Sequence, residues 1–159
     1  MGGMESIAAP IRTLAVTRAA ARFCAIRGWA PVEQVTLPDG RRADIVALLP
    51  NGDFAIIEIK SCARDFLCDG KWQDYRAWCD RLYFAVDLDF PQTLLPEEVG
   101  LVVAEDREAA LIREAPEHRL ASARRRALTQ RVAMLAAGRL AALADPAGAA
   151  EMRAALRLE

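Results

Sequence analysis

Lysine is nearly absent from this chain. Of 21 basic residues only Lys60 and Lys71 are lysine, and the other nineteen are arginine. Histidine occurs once, at His118, and none of the four cysteines, Cys24, Cys62, Cys68 and Cys79, belongs to a Cys-x-x-Cys pair. That spacing argues against a zinc site or a disulfide framework and for buried, reduced thiols. With a net charge of −1 there is no global basic field to gather polyanions, so any nucleic-acid surface has to be a local patch. The opening MGGMESIAAPIR lacks a basic segment leading into an apolar one. The longest apolar run, AMLAAGRLAALA, is interrupted by Arg139 and has few large side chains. A soluble, cytoplasmic protein without a membrane span is expected.

What is present is a chain of 159 residues, 53% apolar, enough for one domain with a proper core. The expected domain covers residues 8–143, with 144–159 as a short C-terminal helix or tail. Drift from lysine to arginine is the ordinary result of a GC-rich coding sequence. It gives the two surviving lysines added interest, because a compact ammonium fits where a larger, permanently charged guanidinium does not.

Pro10 to about Arg27 reads as a helix, with Pro10 suited to its first turn, Gly28 as its stop, and Leu14, Val16, Phe23 and Ile26 facing the core. Three strand-like runs follow, Val32 to Leu37, Ala43 to Leu49 and Phe54 to Lys60. They are joined by Pro38-Asp39-Gly40 and Pro50-Asn51-Gly52, the turn chemistry of a three-residue hairpin loop with glycine in the left-handed position. The runs are apolar on both alternating faces, so the sheet is expected to be covered on both sides. Ala63 to about Arg81 reads as a helix with a break at Gly70. Leu82 to Asp87 reads as a fourth strand, Glu97 to Glu105 and Ala109 to Glu114 as two more, and Ala121 to Leu143 as a long helix.

The two loops set the register. If Leu49 pairs with Asp53, Asp44 falls directly opposite Glu58; if Leu37 pairs with Arg41, Gln34 falls opposite Asp44. Directly paired residues share a face, with Cβ atoms about 4.5 to 5.5 Å apart. Lys60, two residues after Glu58, shares its face. Adjacent carboxylates repel unless a cation or a shared proton intervenes. Oxygen donors without histidine or cysteine favour Mg²⁺ or Mn²⁺, and a lysine beside such an ion suits phosphodiester hydrolysis. An ion pair of Lys60 with Glu58 or Asp44, with no catalysis, is the alternative reading of the same residues.

A helix, a three-strand meander carrying Asp44 on its second strand and Glu58-Ile59-Lys60 on its third, then helix and strand, resembles the core of the PD-(D/E)xK nuclease superfamily. GRRADIVAL, IEIKS, DGKWQDY, CDRLYFAV and PEHRLASARRRAL, taken in that order, resemble the MmcB-like family of bacterial DNA-repair proteins. The resemblance implies an α/β fold of restriction-endonuclease-like type with additional strands and a C-terminal helix. It implies metal ligands at Asp44, Glu58 and the Ile59 carbonyl, a catalytic lysine at Lys60, Mg²⁺ or Mn²⁺ as cofactor and DNA as partner. Many superfamily members place an acid on the first helix; Ile11 to Gly28 contains none, and Gln34 is the nearest substitute. Lys71 and Tyr75 stand where related exonucleases carry a Gln-x-x-x-Tyr pair that positions DNA. An exposed lysine and a packed tyrosine are the plainer reading of that pair, and Trp72 and Trp78 read as core. Arg124, Arg125 and Arg126 are either a solvated face or a phosphate-contacting patch. The expected function is metal-dependent DNA cleavage in repair, with a DNA-binding or protein-recruiting module that does not cleave as the alternative.

Overall fold

In a computed structural model, which describes residues 2–157 and side chains from Ala9 onward, Pro38-Asp39-Gly40 and Pro50-Asn51-Gly52 close the same kind of hairpin. Leu37 N–H donates to Arg41 O at 2.7 Å and Leu49 N–H to Asp53 O at 2.8 Å. Gly40 and Gly52 both sit at φ 90°, a conformation that a side chain would strain. These loops join β1 (Ala30–Thr36), β2 (Arg42–Leu48) and β3 (Phe54–Ile59) into an antiparallel meander. β4 (Arg81–Asp87) and β5 (Gly100–Glu105) add in parallel, and β6 (Glu108–Arg113) returns antiparallel, giving one six-stranded mixed sheet in sequential order.

Both faces are covered, as the doubly apolar strands require. α1 (Gly2–Ile26) lays Val16, Ala19, Ala20, Phe23 and Cys24 against Ile45, Ile57 and Tyr83. α3 (Ser122–Ala144) lays Leu128, Val132 and Leu135 on the face made by Val46, Ile56, Phe84 and Leu101. Each such aliphatic side chain, fully buried, contributes roughly 1.5 to 3 kcal/mol. The α/β architecture is consistent with a restriction-endonuclease-like fold carrying additional strands and a C-terminal helix. After Asp145, α4 (Ala149–Leu156) turns back beside α3, and the last two residues of the expected tail lie outside the described residues.

Several expectations are corrected. α1 extends upstream to Gly2, so Pro10 lies inside the helix and not in its first turn. Leu14 and Ile26 are exposed: at 100° per residue Leu14 lies opposite the buried stripe through residues 16, 19, 20, 23 and 24, and Ile26 is the last residue of the helix, at the border of that stripe. The helix expected from Ala63 to Arg81 does break around Gly70, after α2 (Ala63–Cys68), but its second piece is a 3-10 segment (Trp72–Trp78) and not α-helix. Asp69 leaves helical geometry at ψ 84° while its N–H closes onto Phe66 O. Cys24 and Cys79 are buried, but Cys62 and Cys68, at the ends of a helix with no buried residue, are exposed. Trp72 is buried and packs edge-on against Phe84.

Candidate functional site

The β2–β3 ladder runs in regular register as far as Ile45 opposite Ile57 and then gives way to side chains. At the next step Asp44 N–H donates to Glu58 Oε1 at 3.1 Å, and Ile59 N–H donates to Asp44 Oδ2 at 2.8 Å. Each carboxylate thus takes the place of a strand carbonyl. Within a strand, the N–H and C=O of one residue leave the same edge, so the Ile59 carbonyl is directed toward β2 with its N–H. The meander places Asp44, Glu58 and the Ile59 backbone together at the end of the sheet where β3 stops.

Glu58 is only 4% exposed. Burial, reinforced by the neighbouring Asp44 charge, pushes its carboxyl up to about 9, so it carries a proton at neutral pH when no cation is present. Lys60 is 6% exposed, and its Nζ donates to Asp69 Oδ2 at 2.7 Å. The alternative reading of the sequence pairs Lys60 with Glu58 or Asp44; the observed partner is Asp69. Asp69 escaped the sequence reading because Asp69-Gly70 reads as a helix break, and its distance from Lys60 depends on how the chain turns after α2.

Gln34 stands opposite Asp44 between the register pairs Glu33–Ile45 and Val35–Ala43. Its φ is 50°, left-handed and strained for a residue with a side chain, and its Nε2 makes a long contact of 3.5 Å to Asp44 Oδ1. Arg139, the residue that interrupts the apolar run of α3, donates to the carbonyls of Glu33 and, at 2.8 Å, of Gln34. Tyr75 directs its hydroxyl to Arg42 O at 3.1 Å; burial, then the charges of Glu58 and Asp44, raise its pKa. Lys71 precedes the 3-10 segment at φ −126° and is exposed. In 3-10 geometry residues three apart eclipse, so the shared face expected for Lys71 and Tyr75 on an α-helix is not formed.

The chain matches the family model described as DNA repair protein MmcB-like over residues 4–147. It belongs to the MmcB-like family. Among solved structures it is similar to the SPO1766 protein of unknown function from Silicibacter pomeroyi, at 44% identity and a TM-score of 0.83, with 86% of this chain and 94% of that chain covered. No curated protein matches it. Membership of the MmcB-like family assigns the chain to DNA repair at that coarse level.

Two of the segments that resemble MmcB-like proteins, CDRLYFAV and PEHRLASARRRAL, meet at Asp80. This carboxylate, 1% exposed, accepts from Phe54 N–H at 2.8 Å and Leu120 N–H at 2.9 Å, and is gripped by both terminal nitrogens of Arg125 at 2.9 and 2.7 Å. His118 N–H donates to the Asp80 carbonyl at 2.6 Å. Burial alone would raise the Asp80 pKa, but the bonds from Arg125, Leu120 and Phe54 outweigh it and hold the carboxyl below its usual range. Arg125, half-buried, is therefore engaged by Asp80, which corrects its expected place among free arginines on a phosphate-contacting face. Arg124 lies over the Trp78 ring with 5.4 Å to its centroid and donates to Ala77 O at 3.1 Å, while Arg126 is exposed on α3. No helix among the described residues is long and apolar enough to cross a membrane.

Proposed function

We propose that the protein is a metal-dependent DNA nuclease that hydrolyses phosphodiesters during repair. The observation that carries this reading is the pairing of Asp44 with buried Glu58 at the open end of the β2–β3 ladder, while the nearby Lys60 ammonium is engaged by Asp69. The internal cation does not bond to the two carboxylates, so a proton or an external cation must relieve their repulsion. Asp44, Glu58 and the Ile59 carbonyl form an all-oxygen donor set, which fits Mg²⁺ or Mn²⁺. Bound there, such an ion would lower the pKa of a water ligand and offset charge developing on phosphate.

The chain's own groups divide the remaining work. Lys60, held as an ammonium by Asp69, orients the attacking water and stabilises developing negative charge. Gln34 fixes Asp44 through its amide. Lys71, Arg124 and Arg126 contact DNA phosphates, supplying affinity that is independent of sequence and weakened by salt. This arrangement supports placement in the PD-(D/E)xK superfamily.

One observation favours a second reading. With Gln34 where an acid would complete the set, the fold suits a DNA-binding or protein-recruiting module without cleavage. The test is incubation with single-stranded, duplex, nicked and branched DNA in Mg²⁺ or Mn²⁺. Cleavage of at least one substrate, lost on chelation and in Asp44→Asn, is expected. Tight binding of one of them with no cleavage of any would replace the nuclease with the module.

A further inference from the structure

We infer that Asp69 is a positioning residue for Lys60, fixing the ammonium at the end of β3 so that it serves the reaction without neutralising Asp44 or Glu58. The inference rests on the nuclease reading for its catalytic consequence. Its structural part stands independently of that reading.

A buried ammonium needs a partner that satisfies its donors, and Lys60 has one at 2.7 Å in Asp69. Both ends of this contact are anchored. Lys60 N–H donates to Ala85 O at 3.0 Å, which holds the root of the side chain to β4. Asp69 N–H donates to Phe66 O at 3.1 Å, and its other carboxylate oxygen, Oδ1, accepts from Lys71 N–H at 3.2 Å. One oxygen of Asp69 is thus used to shape the chain after α2 and the other to hold Lys60. α2 buries none of its residues, and Phe66, edge-on to Phe84 at 5.5 Å between centroids, packs it against the sheet. The ion pair supplies the polar half of the same attachment.

The consequence is a division of charge. Asp69 satisfies the lysine, so Asp44 and Glu58 stay available to an external cation, and the amine is directed by a carboxylate outside the metal-ligand set. An amide at position 69 keeps the size and loses the charge. A longer acid keeps the charge and displaces it by one methylene.

The chain has only two lysines, so labelling lysine with ¹³C and ¹⁵N gives two side-chain signals, with Lys71 as an internal control. In the wild type the Lys60 ammonium is expected to be shifted from the Lys71 signal and slow to exchange with water. In Asp69→Asn the Lys60 ammonium signal is expected to move toward that of the exposed Lys71 ammonium and to exchange as fast with water. On any DNA that the wild type cleaves, Asp69→Asn is expected to lower kcat at least about tenfold with KM unchanged, and Asp69→Glu to recover part of the loss. An unchanged Lys60 signal in Asp69→Asn, or wild-type kcat, overturns the inference. Absence of cleavage by the wild type removes the nuclease reading alone, and the lysine spectrum still decides whether Asp69 holds Lys60.

Discussion

Glu58 and Lys60 are the residues whose chemistry is most exposed to measurement. Glu58 retains its proton in the folded, metal-free protein up to about 9, against 4.5 for the ordinary group. Folding therefore takes up a proton between those values, so this contribution to stability is full below pH 4.5 and is lost as pH rises toward 9. Glu58→Gln keeps the shape and cannot ionise. Calorimetric melting at about pH 8 is expected to show a Tm at least about 3 °C above the metal-free wild type, with a flatter decline as pH rises. An unchanged slope would mean that Glu58 is ionised in the folded chain. Lys60→Arg is expected to fold and bind DNA but to cleave at least about tenfold more slowly, a barrier increase of roughly 1.4 kcal/mol. A guanidinium is larger than the ammonium and presents a planar fork to the single Asp69 oxygen. Wild-type kcat in that variant would reduce Lys60 to a countercharge.

At the scale of elements, Asp80 joins β3, β4, the segment before α3 and α3 itself. Removing Arg125 leaves a buried carboxylate without its cation, so Arg125→Ala is expected to cost about 3 to 5 kcal/mol in urea melts, while leaving the salt dependence of DNA binding by the folded fraction unchanged. A loss below about 1 kcal/mol would place Arg125 among ordinary surface ion pairs. In β1, Gln34→Gly removes the left-handed strain and is expected to leave stability equal or raised by about 1 kcal/mol, despite the lost side chain. The meander was legible beforehand because Pro-x-Gly loops dictate their own register, and that register alone brought Gln34, Asp44 and Glu58 together. The break of the helix after Ala63 was visible only as Gly70. The 3-10 geometry and the reach of Asp69 to Lys60 depend on packing of Phe66 and Trp72 against Phe84. Arg125 looked like its exposed neighbours in an Arg-Arg-Arg run, since its partner lies 45 residues away in sequence.

Across the whole molecule, a sheet buried on both faces is interrupted at one end by Asp44, Glu58 and Lys60, and covering helices supply the means to hold them there. Arg139 of α3 clamps the β1 backbone at Gln34, and Asp69 after α2 takes the lysine. On the proposed reading, stability and site are built from separate charge groups: buried Asp80 with half-buried Arg125 for the fold, Asp44 with Glu58 for a cation. The most direct test of this separation is titration calorimetry with Mn²⁺ near neutral pH on the wild type, Asp44→Asn and Glu58→Gln, with folding of each variant checked by circular dichroism. The wild type is expected to bind and to release a proton as the metal displaces it from Glu58, and both variants to show no binding while folded. Equal Mn²⁺ binding by the three proteins, or none by the wild type, would contradict the assignment of Asp44 and Glu58 as a metal site.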